Sequence, residues 1–118
     1  MDALTVLRRE HTRIAQLFVE FDGLSDCACT GRRALVRELD ELVRRHIEME
    51  EALIYRNVAQ PPDDHRLVLR MLDEIEQTEC HTPPYVPRVH ALRDLLLAHI
   101  KEEEAHVFPA CAGYAQVA

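Results

Sequence analysis

Four stretches of the chain carry apolar residues at alternating steps of three and four, and this periodicity restricts the fold more than any other feature of the sequence. Such spacing places apolar side chains along one face of a helix. Short connections between amphipathic helices predict an all-α, up-down-up-down antiparallel four-helix bundle. We expect one domain over residues 1–110 and a short C-terminal tail over residues 111–118. The predicted helices run from about Asp2 to Phe21, from Arg32 to Asn57, from Asp63 to Thr78 and from Pro87 toward Pro109.

The balance of charge argues against several classes of partner. The 118 residues include 14 Lys and Arg against 21 Asp and Glu, which gives a formal net charge of −7. A nucleic-acid-binding surface needs a basic patch or stripe, and the sequence shows none. No apolar run is long enough to span a bilayer, and the N-terminus lacks the apolar core of a signal peptide. We therefore predict a cytoplasmic protein that binds neither nucleic acid nor membrane, and we leave its oligomeric state open.

Ionisable side chains interrupt the apolar faces of all four predicted helices, at positions where an aliphatic residue would normally pack. Two histidines are each followed four residues later by a glutamate, so each pair projects from one side of a helix. In the predicted topology the interruptions all fall near one end of the bundle, within about two helical turns of one another. Six candidate ligands result: His11, His46, Glu50, His65, His99 and Glu103.

Two interpretations of these six residues are open. A single histidine on an apolar face is usually a hydrogen-bonded core residue, and each of the four could be explained in this way. Core positions, however, rarely hold so many ionisable groups unless something neutralises them. Four imidazoles and two carboxylates suit iron, manganese or zinc, and a carboxylate can bridge two cations. The pattern therefore favours a dinuclear metal centre inside the bundle.

The same residues resemble the hemerythrin-like, or HHE cation-binding, domain. The resemblance rests on His11, on His65, on the blocks His46-x-x-x-Glu50 and His99-x-x-x-Glu103, and on the segments E-E-A-L-I-Y and E-E-E-A-H-V-F-P. It extends from about Leu4 to Pro109 and implies a four-helix bundle that holds two iron ions, oxo- or hydroxo-bridged, with zinc or manganese as alternatives.

The resemblance also implies a role for each candidate ligand. His11 and His46 would bind one iron, and His65 and His99 would bind the other. Glu50 and Glu103 would bridge the two ions. The spacing of the second carboxylate varies by one residue in this family, so Glu104 is a substitute for Glu103.

One departure from the oxygen-carrying members of the family bears on function. Those members have a fifth histidine one turn after the third, where this chain has Leu69. One iron would then keep an open position, which favours chemistry on O₂, peroxide or nitric oxide over simple oxygen carriage. Catalase-like consumption of peroxide is one such activity. The alternatives are a non-catalytic iron or oxygen sensor and a structural di-zinc bundle.

Other residues near the candidate site receive lesser roles. His106 follows His99 by seven residues and is expected beside the centre rather than on a metal. Tyr55 points off the apolar face of an ideal helix, so we do not expect it to be a ligand. His81 lies in a loop and His90 on the opposite helix face, and both are expected outside the site. A solvated acidic face is expected to include Glu48, Glu51 and Glu102.

The cysteines form a separate question. Cys27, Cys29 and Cys80 fall in the two predicted loops at the end of the bundle away from the candidate ligands. They could form a small zinc site or a redox disulfide. Reduced thiols are the favoured interpretation for a cytosolic chain. Cys111 lies at the other end, in a tail that we expect to be loose.

Overall fold

The computed structural model describes residues 2–25, 28–56 and 61–111, and four long helices account for most of them. The prediction of an all-α four-helix bundle is confirmed, while the up-and-down order of the helices stays a prediction. The fourth helix continues through one π-helical turn into a final short helix. The elements are α1 (Ala3–Asp22), α2 (Cys29–Leu53), α3 (Asp63–Glu76), α4 (Tyr85–Glu102), the π turn (Glu103–Val107) and α5 (Phe108–Cys111).

Local chemistry explains several helix ends, and some of these ends differ from the predicted bounds. Asp2 caps α1, because its carboxylate accepts a 2.9 Å hydrogen bond from the backbone N–H of Leu4. α2 starts at Cys29, three residues before the predicted start. It also ends earlier, at Leu53; the predicted end at Asn57 lies outside the described residues. α4 begins two residues before Pro87, which the first turn of a helix tolerates because its N–H groups need no partner within the helix.

The apolar faces of the helices form two clusters with the candidate site between them. On α1, Leu7 belongs to one cluster and Ile14 to the other, and buried His11 lies between them. Cys111 is also buried, against the cluster that contains Leu7 and Phe108, so the expectation that it lies in a loose tail is wrong. The larger cluster includes Ile14, Phe18, Leu39, Val43, Val68, Leu72, Ile75, Leu92 and Leu96.

Two of the cysteines are bonded to each other. Cys29 lies in the first turn of α2 and Cys80 in the connection between α3 and α4; a disulfide joins them, with their Cα atoms 5.7 Å apart. The favoured interpretation of reduced thiols is therefore wrong for this pair, and neither sulfur is left to bind zinc. The physical reason is that helix packing brings the two backbones within disulfide distance. Cys27 lies outside the described residues.

No helix within the described ranges combines the length and the apolar character that crossing a bilayer would require. The cytoplasmic location stays a prediction.

Candidate metal centre

The structure brings all six predicted ligands together in two overlapping groups. Within each group, one ligand atom from every residue lies within 4.8 Å of the others. Five of the six residues are at most 4% exposed, and the His99 side chain is 9% exposed. The two groups share both carboxylates: they are His11, His46, Glu50 and Glu103, and Glu50, His65, His99 and Glu103.

The helices position these side chains by simple geometry. Residues four apart on a helix lie on the same face, so α2 presents His46 beside Glu50, and the fourth helix presents His99 beside Glu103.

The other two histidines have no glutamate four residues later. His11 takes an apolar position on α1, between Leu7 and Ile14. His65 is the third residue of α3, where the chain has just been redirected by Pro62.

The Nε2 atoms of the four imidazoles point inward at the two buried carboxylates. His46 and His65 place Nε2 3.1 Å from the two oxygens of Glu50. His11 and His99 place theirs 3.2 Å from the two oxygens of Glu103. None of these contacts has hydrogen-bond geometry. The buried atoms without a hydrogen-bond partner include Nε2 of His11, His46, His65 and His99, together with Glu50 Oε2 and Glu103 Oε1.

The outward Nδ1 atom of each imidazole, by contrast, is bound by a carboxylate from another helix. His11 pairs with Glu104 and His46 with Glu10, both at 2.8 Å. When Nδ1–H donates to such an acceptor, the neutral ring must carry its lone pair on Nε2, which is the form that binds a metal. The remaining two bonds are His65 to Glu51 at 2.9 Å and His99 to Asp64 at 3.2 Å.

These outer carboxylates were missed or misplaced by the sequence analysis. Glu51 does not lie on a fully solvated face as expected, because its side chain, 37% exposed, binds His65. Glu104 is 42% exposed and binds the outer edge of His11, while Glu103 is the buried residue. Glu10 and Asp64 each precede a candidate histidine but bind a different one. No periodicity signals these pairs, because the partners are between 14 and 93 residues apart.

The electrostatics of the cluster fit bound cations. Four lone-pair-bearing nitrogens face two carboxylates at 3.1 to 3.2 Å, an arrangement that is repulsive unless positive charge lies between them. Protons are one source of that charge. Burial lowers the pKa of His11, but Glu103, Glu50 and Glu104 outweigh burial and raise the pKa to about 10. Metal ions bound by nitrogen and oxygen donors are the other source.

The pKa values of three further histidines and of Glu50 are also displaced. Burial lowers the pKa values of His46, His65 and His99, and their carboxylate neighbours more than reverse this, so all three pKa values are raised. Burial would raise the pKa of Glu50, but the three histidines close to its carboxylate hold that pKa well below its ordinary value. The cluster therefore keeps a carboxylate charged in a buried place.

Tyr55 reaches the site, which corrects the expectation that it points away. That expectation assumes an ideal helix that continues through Tyr55, but α2 ends at Leu53. The backbone N–H of Tyr55 donates to the carbonyl of Glu50 at 3.0 Å, five residues back. The phenol then donates to Glu103 Oε2 at 2.9 Å, and the ring lies edge-on to His65 with centroids 5.5 Å apart.

The π turn after α4 corrects the expected place of His106. A π turn contains one residue more than an α turn, so every later residue is displaced by about 100° around the axis. The His106 side chain is consequently 71% exposed. Phe108 occupies the inward position instead and stacks on His11, with ring centroids 5.3 Å apart and planes at 6°. Its N–H donates to the carbonyl of Glu103, again five residues back.

The other two histidines lie outside the cluster, as predicted. His81 is 72% exposed. His90 is 38% exposed, and its Nε2 pairs with Asp22 Oδ1 at 2.7 Å. Leu69 is partly buried against the larger apolar cluster.

Comparison with known proteins decides the family. Residues 2–111 match the family described as the hemerythrin HHE cation binding domain. The chain belongs to this family. A curated relative of this hemerythrin-domain protein is the DNA nickase of Nostoc sp. (strain PCC 7120 / SAG 25.82 / UTEX 2576), 24% identical over 119 aligned residues that cover 93% of this chain. The chain spans about a third of that relative, 33% of its length. No solved structure matches.

The family and the geometry point to the same coarse conclusion. The hemerythrin-domain protein carries a buried His/Glu cluster with the donor set and spacing of a site for metal cations.

Proposed function

We propose that the protein is a non-haem di-iron protein that binds or processes O₂, or a reactive small molecule such as peroxide or nitric oxide, at its His/Glu centre. The observation that carries this proposal is the set of six inward, buried donor atoms without hydrogen-bond partners. Unpaired buried polar atoms destabilise a fold, so six in one cluster fit a site where cations bind them all.

Two ions, rather than one, follow from the way the donors are divided. Each of the two groups has two imidazoles of its own and shares Glu50 and Glu103 with the other group. Mixed nitrogen and oxygen donors suit iron, with zinc or manganese as alternatives. Bound there, iron would supply Lewis-acid and redox chemistry to a small ligand at an open position.

The residues around the donors have distinct tasks in this proposal. The outer carboxylates, such as Glu51 on His65, fix each imidazole with Nε2 facing inward. Tyr55 donates a hydrogen bond to Glu103 and so orients a shared carboxylate. Leu69 follows His65 by four residues, where a further imidazole would complete the ligand set, and its aliphatic side chain leaves that position to a small molecule.

Nicking of DNA is not extended to this chain from its relative. The shared region covers 33% of the nickase, at 24% identity. The net charge of −7 opposes contact with a phosphate backbone. We propose a small-molecule ligand and no nucleic-acid partner, and an unchanged supercoiled plasmid after incubation with the iron-loaded protein is the expected result.

The proposal is tested by metal analysis and an optical spectrum of protein purified from iron-replete cells. About two iron ions per chain and near-ultraviolet absorption of a bridged ferric pair are expected. His46→Ala combined with His99→Ala should abolish metal binding and keep a helical spectrum. His81→Ala combined with His106→Ala removes two exposed histidines and is the matched control. Full metal content in the first double variant, or zinc without iron in the wild type, would contradict the proposal.

A further inference from the structure

A cavity lies between α2 and α3, and none of its lining residues belongs to the His/Glu centre. It measures about 300 Å³, the lower end of the range for small-molecule sites. Its floor is apolar and consists of Val36, Leu72, Ile75 and Tyr85. The last three are at most 2% exposed, so the floor is part of the packed core and is preformed.

The rim of this cavity carries unpaired charges of both signs. Arg33 and Arg37 lie one helical turn apart on α2, and Glu41 follows one turn later. Glu76 faces them from α3. Within the part of the chain that the structure describes, none of these four side chains has a hydrogen bond or an ion pair. Asp40 also lines the rim, but its carboxylate is already bound by Arg44 at 2.8 Å.

Two fixed contacts show how these charges are arranged along the cavity. Arg44 of α2 bonds Asp73 of α3 at 2.7 Å, while Cys29 at the start of α2 is bonded to Cys80 beyond α3. Glu41 precedes Arg44 by three residues, and Glu76 follows Asp73 by three. Both glutamates therefore lie at the end of the cavity near the Arg44–Asp73 bond. Arg33 lies at the other end, toward the disulfide. The cavity is thus basic at one end and acidic at the other.

The phenol of Tyr85 adds a polar group to the floor near the basic end. Its side chain is 2% exposed and lines the cavity. Among the described residues its hydroxyl has no hydrogen-bond partner. Burial raises its pKa, against the opposing effect of Arg33 and Arg32, so the hydroxyl is protonated and can donate.

We propose that this cavity binds a short zwitterionic peptide, with its carboxylate between Arg33 and Arg37 and its ammonium group beside Glu41 and Glu76. Glu41 follows Arg33 by eight positions, a distance of about 12 Å along the helix. An extended peptide advances roughly 3.3 Å per residue, so a molecule of three or four residues reaches both ends. The middle of the peptide lies on Leu72 and Ile75, and Tyr85 donates to one of its carbonyl or carboxylate oxygens. This site goes beyond the proposed function and does not depend on it.

The test is calorimetric titration of the metal-loaded protein with the tripeptide Ala-Leu-Ala, with both ends free. Arg33→Ala combined with Arg37→Ala should weaken binding at least tenfold, because both guanidinium groups are lost. A C-terminal amide on the peptide should weaken binding to the wild type similarly and should cause no further loss with the double variant. Arg70→Ala, an exposed arginine on α3 outside the cavity, is the matched control and should bind as the wild type does.

The acidic end is tested in the same way. The double variant Glu41→Gln/Glu76→Gln should weaken binding of the free peptide. N-terminal acetylation of the peptide should weaken binding to the wild type similarly and should cause no further loss with the double variant. Absence of binding at millimolar tripeptide, or equal affinity for the free and the capped peptides, would overturn the proposal. Unchanged affinity in either double variant would also overturn it. The four substituted side chains are exposed, so both double variants should stay folded.

Discussion

The hydroxyl of Tyr55 donates a 2.9 Å hydrogen bond to Oε2 of Glu103, and it thereby connects the end of α2 to a carboxylate that both candidate metal groups share. Tyr55→Phe removes only this donor and keeps the ring against His65. We expect metal affinity to fall about tenfold, the usual cost of losing a hydrogen bond that orients a metal ligand. Competition with a chelator measures the change. Tyr85→Phe, at the other end of the bundle, should leave the affinity as it is.

The pH dependence of metal binding follows from the histidines. The pKa of His11 is raised from about 6.5 in the unfolded chain to about 10 in the folded protein. Protonated His11 therefore stabilises the metal-free fold, and this stabilisation is fully present at pH values below the unfolded pKa. That stabilisation is lost as the pH rises through the folded pKa. Metal ions compete with the same protons, so binding releases protons and strengthens as the pH rises.

The corresponding measurement compares melting temperatures with and without metal. We expect the increase in Tm on metal loading to be larger near pH 9 than near pH 6, because protonated imidazoles stabilise the metal-free protein at the lower pH. The double variant His46→Ala/His99→Ala should show no increase at either pH. A metal-induced increase that is the same at both pH values would show that the histidines are not the groups that exchange protons for metal.

Leu69 discriminates between a protein that processes its ligand and one that carries it. We expect the iron-loaded wild type to consume hydrogen peroxide, and Leu69→His to slow this by filling the open position. The same substitution should prolong any oxygen-dependent visible band. Both proteins need equal iron content, and Leu67→His, an exposed position 42% accessible on α3, controls for an added imidazole. Reversible oxygen binding by a wild type that leaves peroxide untouched would favour a carrier or a sensor.

The disulfide should support the fold without supporting the site. Cys29 and Cys80 are 51 residues apart in sequence, and closing a loop of that length stabilises a fold by about 4 kcal/mol in the chain-entropy account. Cys29→Ser combined with Cys80→Ser should therefore lower the free energy of unfolding by about this amount in urea titrations. Metal stoichiometry should stay at the wild-type value. Loss of metal in the folded double variant would mean that the two ends of the bundle are coupled.

Periodicity predicted the helices and the meeting of the six buried residues, because burial on a helix imposes a spacing of three and four that is visible in the sequence. The α1 positions Leu7, His11 and Ile14 illustrate this, since all three are buried on one face. That the six residues bind metal individually stays a prediction.

The partners of the imidazoles could not be predicted in this way. Glu10, Glu51 and Glu104 occupy partly or largely exposed helix positions, where charged residues are ordinary and carry no periodic signal. Their roles depend on which helices become neighbours. The π turn was equally hidden, because one inserted residue changes the positions of His106 and Phe108 while leaving the local composition helical.

The two backbone bonds that reach back five residues, from Tyr55 to Glu50 and from Phe108 to Glu103, reveal an internal symmetry of the site. Each His-x-x-x-Glu block is followed by an aromatic ring that contacts a histidine outside both blocks, Tyr55 contacting His65 and Phe108 contacting His11. The two halves share this backbone arrangement but differ in their rings, because Tyr55 meets His65 edge-on whereas Phe108 stacks on His11. One half has a hydroxyl that donates to the shared Glu103 and the other has a hydrocarbon ring, so two ions held by like ligands would occupy chemically unequal places.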